Sequence, residues 1–289
     1  MKIQFLGTAA GDFPRLDNLE DKFAYLPRAR ELGGRNLRRP AQAVIFPDIL
    51  IDFYDSRQLD CFGIAKESIK CLFVTHAHWD HCRPRGILEF AAELPHQLQV
   101  YGNRCVIDAL KFADSYDFDS GNGRFTPRSG RADIGYHVLE PEQIAMVDDT
   151  TVAAVHANHG IDKSDNMLMD LACLNFVFER DGKAVFYGLD SSYPLPLTVD
   201  FLRRYRLDAA VFDATFGQWP IDVAKSGHHN LAMLIETTGE FRDAGIIDDE
   251  SILLASHIAL AEVKPHDDLV GDFVEAGITL AYDGLIIDV

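Results

Sequence analysis

Cys71-Leu72-Phe73-Val74-Thr75-His76-Ala77-His78-Trp79-Asp80-His81 is the stretch that decides how this chain is read. Its first half is a short apolar run of the kind that forms a buried strand. The run leads straight into His76, His78, Asp80 and His81, four candidate metal ligands within six residues. On a strand, residues i and i+2 point the same way. His76 and His78 could therefore share a metal if strand geometry persists into the turn, while Asp80 and His81 face a second one. Neutral imidazole suits Zn²⁺, and carboxylate admits Mn²⁺ as well. The chain has only 11 histidines in 289 residues, so this density at a strand end argues against a chance surface cluster.

Outward from this stretch the pattern mixes strands and helices. Ala43–Phe46 and Ile49–Ile51 read as a hairpin around Pro47-Asp48. Pro84 opens a helix with Ile87, Ala91 and Leu94 on one face, and Leu98–Tyr101 is strand-like. Residues 113–136 are rich in Asp, Ser, Gly and Arg and read as a long loop, a candidate lid or binding loop. In the second half, strands are expected over Thr151–Ala157, Leu171–Phe178, Ala184–Tyr187, Ala209–Phe212 and Ile252–Ala255. Helices are expected over Leu197–Tyr205 and Leu231–Glu240, and a last one starts at Pro265 and stops at Gly277. Asp283-Gly284 marks a closing hairpin. No linker divides the chain, which predicts one α+β domain over residues 1–289.

Composition narrows the function classes. Asp and Glu number 45 against 27 Lys and Arg, a formal net charge of −18. An acidic surface disfavours holding a polyanion by bulk attraction, though not a small phosphate ester at a local positive centre. No apolar run approaches the roughly 20 residues that span a bilayer. Five cysteines, with no C-x-x-C pair, indicate neither a disulfide framework nor a thiolate zinc site. A cytoplasmic location and a small anionic substrate are therefore expected, with no nucleic acid polymer and no membrane as partner. A homodimer is left open. Within the poorly patterned residues 12–40, Arg35, Arg38 and Arg39 form a basic cluster. The general reading is a solvated loop, and the functional one is a clamp that binds an anionic substrate.

His76-x-His78-x-Asp80-His81 after an apolar strand resembles the signature of the metallo-β-lactamase superfamily. The resemblance extends to Gly7-Thr8-Ala9-Ala10-Gly11 after the first strand and to the turn at Asp52 after the third. It implies a four-layer αβ/βα sandwich with a two-metal site where the sheets meet. The segment Val152–Gly160 resembles the third ligand segment, where His159 is favoured over His156 by spacing. Tyr187-Gly188-Leu189-Asp190-Ser191 resembles the turn of the bridging aspartate, and Leu253–His257 the last ligand segment. The implied site has His76, His78 and His159 on one metal, Asp80, His81 and His257 on the other, and Asp190 shared. Asp80 doubles as a candidate catalytic carboxylate. Two divalent ions, Zn²⁺ or Mn²⁺, roughly 3.5–4 Å apart would lower the pKa of a shared water, so hydrolysis by a bridging hydroxide is implied.

Three further segments, Arg38–Val44, Val211–Thr215 and His228–Leu231, together with Tyr282–Ile287, resemble the phosphoribosyl cyclic phosphodiesterases of phosphonate breakdown. They resemble the tRNA 3′-processing endonucleases more loosely. This implies a role for His228 in phosphate binding or leaving-group protonation, with His229 as runner-up, though packing on the helix is the preferred reading of His229. Asp213 either orients such a histidine or caps a loop. Those phosphodiesterases carry a cysteine cluster before the second strand that holds a structural zinc. Residues 12–40 have no Cys, so no structural zinc is expected. The expected function is that of a metal-dependent hydrolase, foremost a phosphodiesterase acting on a small, even cyclic, phosphodiester. A thioester or lactone hydrolase is the alternative, and a non-catalytic metal-binding carrier of the cofactor-biosynthesis branch is a third reading.

Overall fold

A computed structural model describes residues 1–11, 25–159, 173–221, 227–260 and 263–289. Most of the first part of the irregular stretch read at 12–40, the first two residues of the strand read from Leu171, and Gly160 lie outside this set. In chain order the first half forms β1 (Lys2–Gly7), β2 (Gln42–Ile45), β3 (Ile49–Ile51), β4 (Cys71–Val74), β5 (Leu98–Gly102), β6 (Tyr116–Asp119), β7 (Arg124–Pro127) and β8 (Ile134–Val138). The second half forms β9 (Ile144–Val147), β10 (Thr150–His156), β11 (Leu174–Arg180), β12 (Lys183–Gly188), β13 (Ala209–Asp213), β14 (Ile252–Ser256), β15 (Thr279–Leu280) and β16 (Ile286–Asp288). Helices are α1 (Leu26–Leu32), α2 (Arg57–Cys61), α3 (Pro84–Glu93), α4 (Arg104–Ser115), α5 (Pro196–Leu202), α6 (Leu231–Asp243) and α7 (His266–Glu275).

Two seven-stranded sheets result, ordered β16-β1-β2-β3-β4-β5-β8 and β15-β14-β13-β12-β11-β10-β9. The alternation of side chains along each strand decides what each face packs against. In β4, Cys71 and Phe73 point between the sheets, where Phe73 meets Phe176 and Phe178 with ring centroids 5.4 and 5.6 Å apart. Leu72 and Val74 point the other way, onto Ile87 of α3 and Val106 of α4. The second sheet mirrors this. Phe176 and Tyr187 face inward, and Phe186 and Phe212 pack on Phe241 of α6 and Phe273 of α7. Helix, sheet, sheet, helix is the four-layer sandwich expected from the resemblance. No helix among the described residues is long and apolar enough to cross a membrane.

The topology brings one set of strand ends together. β12, β13 and β14 run parallel, so their C-terminal ends lie side by side, and so do those of β3 and β4. Main-chain bonds tie the two sheets along this edge. Leu174 N–H donates to Thr75 O at 2.9 Å, and Ile258 N–H donates to Thr8 O at 2.9 Å.

Two expectations need correction. Residues 113–136 are not a long loop. α4 continues to Ser115, β6 and β7 pair as a hairpin with Phe118 opposite Phe125, and β8 begins at Ile134. The polar run Asp119–Gly123 is only the turn, closed by Asp119 Oδ1 accepting from Gly121 N–H at 3.0 Å. The arginine cluster is no clamp either. Arg38 is buried, and its guanidinium donates to Thr8 Oγ1 (2.7 Å), Ala281 O (2.6 Å) and the His266 Nδ1 acceptor (3.2 Å). Arg35 pairs with Asp267 and Arg39 with Asp283, so all three join the C-terminal segment to the first sheet.

His266 in this junction sets a test. Burial, and then the charges of Arg38 and Arg35, hold its pKa down at about 4 against an ordinary 6.5. A group whose folded pKa is depressed favours the unfolded chain once that chain can take up the proton. Wild-type stability is therefore lost as the pH falls from about 6.5 towards 4. His266→Gln keeps an acceptor for Arg38 and removes the titration. The melting temperature of the variant minus that of the wild type should rise between pH 7 and pH 5. A difference that does not move with pH would refute this.

Candidate metal centre

The predicted ligands come from four strand ends on the shared edge. β4 runs into His76 and His78, and the following turn supplies Asp80 and His81. His159 lies three residues beyond β10, Asp190 two beyond β12, and His257 immediately after β14. Asp52, Asp190 and His257 all have positive φ (57°, 48° and 62°), a left-handed conformation that costs energy for residues other than glycine. Such strain at three neighbouring strand ends turns each side chain out of the sheet and into the edge.

Ligand atoms of His76, His78, His159 and Asp190 lie within 4.8 Å of one another, and so do those of Asp80, His81, Asp190 and His257. The Asp190 carboxylate divides between the two groups. Its Oδ2 stands 3.4 Å from His76 Nε2 and 3.5 Å from His159 Nε2. Its Oδ1 stands 3.1 Å from His81 Nε2 and 2.9 Å from His257 Nε2. His156 is half-buried at the end of β10 and belongs to neither group; of the two histidines weighed, the structure brings His159 to the cluster.

The donor set fits divalent cations. His76 Nε2 and Asp190 Oδ1 are buried without a hydrogen-bond partner, because the close contacts around them lack hydrogen-bond geometry. Unpaired buried polar atoms aimed at a common point are costly unless something else satisfies them. The rings are held by their far nitrogens. His81 Nδ1–H donates to Asp52 Oδ2 at 2.7 Å, and His159 Nδ1–H to Gly227 O at 3.0 Å. A carboxylate and a carbonyl can only accept, so both rings turn a lone pair on Nε2 towards the centre. Burial lowers the pKa of His81 and of His257, but Asp190 and neighbouring carboxylates outweigh it and raise both. Such carboxylates call for positive charge, which bound cations would supply in place of those protons. Gly11 is part of the same packing, since a Cβ there would stand 2.5 Å from Asp80 Oδ2.

A third group overlaps the second. Asp190, Asp213, His228 and His257 also bring ligand atoms within 4.8 Å. His228 Nδ1–H donates to Asp213 Oδ2 at 2.7 Å. Burial lowers the His228 pKa, but the Asp213 charge and hydrogen bond prevail and raise it. Asp213 is pushed up by burial and pulled further down by His228 and His257. His229, one residue on, is buried against α6 with Nε2 2.9 Å from Thr237 Oγ1, so it is the packing histidine of the pair. Two residues were not foreseen in their contacts. Thr215 Oγ1 lies 2.8 Å from His257 Nδ1 and 3.1 Å from His228 Nδ1, and Asp52 anchors His81. The spacing Asp213-Ala214-Thr215 at a strand end was the available signal for the first. Asp190, Thr215, His228 and His257 line an open cavity of about 470 Å³, together with Trp79 and Phe216. Arg35, Arg38, Arg39 and residues 113–136 do not line it.

Asp52 offers a test of ring orientation. Asp52→Asn keeps the acceptor for Thr75 but replaces the oxygen facing His81 with a donor or removes its charge. Removing such a partner typically weakens metal affinity 10–100-fold. Competition with a chelator should show a loss in that range with the circular dichroism spectrum unchanged. Unaltered affinity would show that His81 needs no anchor.

A search of curated proteins finds no sequence match. Among solved structures, a diphosphatase from the PhnP family is 17% identical, with a TM-score of 0.69 over 100% of this chain and 97% of the other. Zn²⁺-bound PqqB from Methylobacterium extorquens is 15% identical, with a TM-score of 0.69 over 100% of both chains. The metallo-β-lactamase fold protein YhfI from Bacillus subtilis is 17% identical, with a TM-score of 0.66 over 99% of this chain and 98% of the other. At these identities the likeness establishes the fold. A family model for the β-lactamase superfamily domain matches residues 48–258, which include every residue of the two clusters. The chain belongs to that family, the metallo-β-lactamase superfamily of hydrolases.

Proposed function

We propose that this protein is a metal-dependent phosphodiesterase acting on a small phosphodiester. The observation that carries the reading is the Asp213–His228 pair set against the shared carboxylate Asp190. His76, His78 and His159 would hold one divalent ion and Asp80, His81 and His257 the other, with Asp190 between them. Bound Zn²⁺ or Mn²⁺ would activate a water and offset the charge that builds on a phosphoryl group.

The chain's own residues supply the rest. Cleaving a phosphodiester expels an alkoxide, a poor leaving group unless a proton reaches its oxygen. His228 is a suitable donor, because Asp213 fixes its Nδ1–H and raises its pKa, keeping the ring charged nearer neutral pH. A thioester expels a thiolate, which leaves without such help, so an oriented imidazole is more useful for phosphate. The cavity volume suits a small ester better than a polymer that must cross an acidic surface. The structural likeness to a PhnP-family diphosphatase agrees with this choice.

Two outcomes are expected. Asp190→Ala should lose most bound metal by elemental analysis and at least about 100-fold in turnover of bis(p-nitrophenyl) phosphate, because one residue serves both ions. A variant retaining two metals per chain would refute the shared role. Turnover by the loaded wild type of a thioester or lactone, but of no linear or cyclic phosphodiester with either metal, would sink the phosphodiesterase reading itself.

A further inference from the structure

Trp79 stands between His78 and Asp80, and more than half of its surface is exposed (53%). An indole left in water at the rim of a polar cavity is unusual, since its large apolar surface is normally withdrawn. Its position is defined. The ring meets Tyr54 edge-on, with centroids 6.1 Å apart and planes at 63°. Arg83 stacks on Tyr54 with its guanidinium carbon 4.7 Å from the ring centroid.

The backbone beneath is fixed by pairing. Phe53 bridges Cys82 in parallel, Phe53 N–H donates to His81 O at 2.7 Å, and Tyr54 N–H donates to Gln42 Oε1 at 3.1 Å. Tyr54 and Arg83, each next in sequence to a bridged residue, are therefore held level with the turn that carries Trp79 and two candidate ligands.

This aromatic pair touches two cavities: Trp79 lines the metal cavity of about 470 Å³, and Tyr54 lines a cleft of about 820 Å³. The cleft is lined by four cations, Arg57, Lys66, Arg83 and Arg85, and three carboxylates, Asp55, Glu89 and Glu93, a slight positive balance in a chain of net charge −18. Arg57 is paired with Asp55, Arg85 with Asp117, and Lys66 with Asp60 and Glu93. Among the described residues, no carboxylate stands within 4.0 Å of the Arg83 guanidinium. Among the described residues, the larger cleft holds no cluster of candidate metal ligands, which sets it apart from the reaction centre.

We infer that Trp79, braced by Tyr54, is a stacking platform for a planar aromatic group of the substrate, with the adjoining cleft lined by Tyr54 and Arg83 taking the remainder of the molecule. This rests on the phosphodiesterase reading and narrows the substrate to phosphodiesters carrying a nucleobase-like ring. Stacking suits an exposed indole because every base has a π face, and it asks for no hydrogen-bond donors that the rim lacks. Trp79 acts on binding alone and takes no part in bond breaking.

The test uses the full-length, metal-loaded chain, with adenosine 5′-monophosphate and ribose 5-phosphate as probes. The chain has two tryptophans, so a Trp219→Phe background leaves Trp79 as the only indole. Adenosine 5′-monophosphate should quench its fluorescence saturably, and ribose 5-phosphate should not. By calorimetry, Trp79→Ala should weaken the nucleotide about 5- to 150-fold, the span expected for loss of one stacked base, while ribose 5-phosphate changes less than about twofold. Trp79→Phe should restore most of the nucleotide affinity. Equal losses for both probes, an absent quench, or no nucleotide binding would overturn the inference. If those results come with turnover of bis(p-nitrophenyl) phosphate, the phosphodiesterase reading survives without it. Stacking of the nucleotide in a protein that hydrolyses no phosphodiester would remove that reading and leave the platform standing.

Discussion

One buried carboxylate organises this molecule's active edge. Asp190 is almost fully withdrawn from water, and each of its oxygens faces two imidazole nitrogens at 2.9–3.5 Å. Removing a charge from water costs several kcal/mol even after relaxation, so the carboxylate persists there only against positive charge. The fold can place it there because β12, β13 and β14 are parallel and end together, and because main-chain bonds hold the two sheets in register beside them. The positive φ values of Asp52, Asp190 and His257 are the local cost of turning three side chains out of their sheets.

Much of this was legible in the sequence because the strongest signals are local. His76, His78, Asp80 and His81 share one turn, and the apolar run before them marks the strand that carries it. Asp190 and His257 came from the resemblance of their segments to the family's ligand segments, and each stands just past an apolar strand. His159 was harder. It lies three residues beyond the end of β10, so strand periodicity alone does not distinguish it from His156. The Asp52 anchor, by contrast, depends on pairing between β3 and β4, and side-chain contact of that kind leaves no mark on either segment alone.

The misread segments fail for the same physical reason. Arg35 and Arg39 find Asp267 and Asp283 more than 230 positions along the chain, and Arg38 is covered by the segment around Ala281 and His266. A basic cluster in an acidic chain looks free only while its partners are out of view. Residues 113–136 were judged by their Gly, Asp and Ser content, but those residues are scattered through a helix end, a hairpin and its turn, and the aromatic pair Phe118–Phe125 holds the strands on either side of that turn, with ring centroids 5.2 Å apart. Composition averaged over such a window conceals a short hairpin.

Proton placement around Thr215 links the candidate proton donor to a candidate metal ligand. Asp213 can only accept, so the 2.7 Å contact places a proton on His228 Nδ1. Thr215 has one proton, and its 3.1 Å contact with Asp213 Oδ2 is the one that must use it. Its oxygen is then left to accept, which places the proton of His257 on Nδ1 at 2.8 Å and turns the Nε2 lone pair towards Asp190 and Asp80. The other Asp213 oxygen accepts from the main-chain N–H groups of Thr215 and His229 at 2.9 and 3.0 Å, so the carboxylate is held at both ends. One assignment of protons satisfies every group in the network, and it has His257 ready to ligate while His228 is ready to donate. The residue that would hold a cation and the residue that would protonate a leaving group are therefore oriented by the same carboxylate, which makes Asp213 as much a part of the site as the ligands themselves.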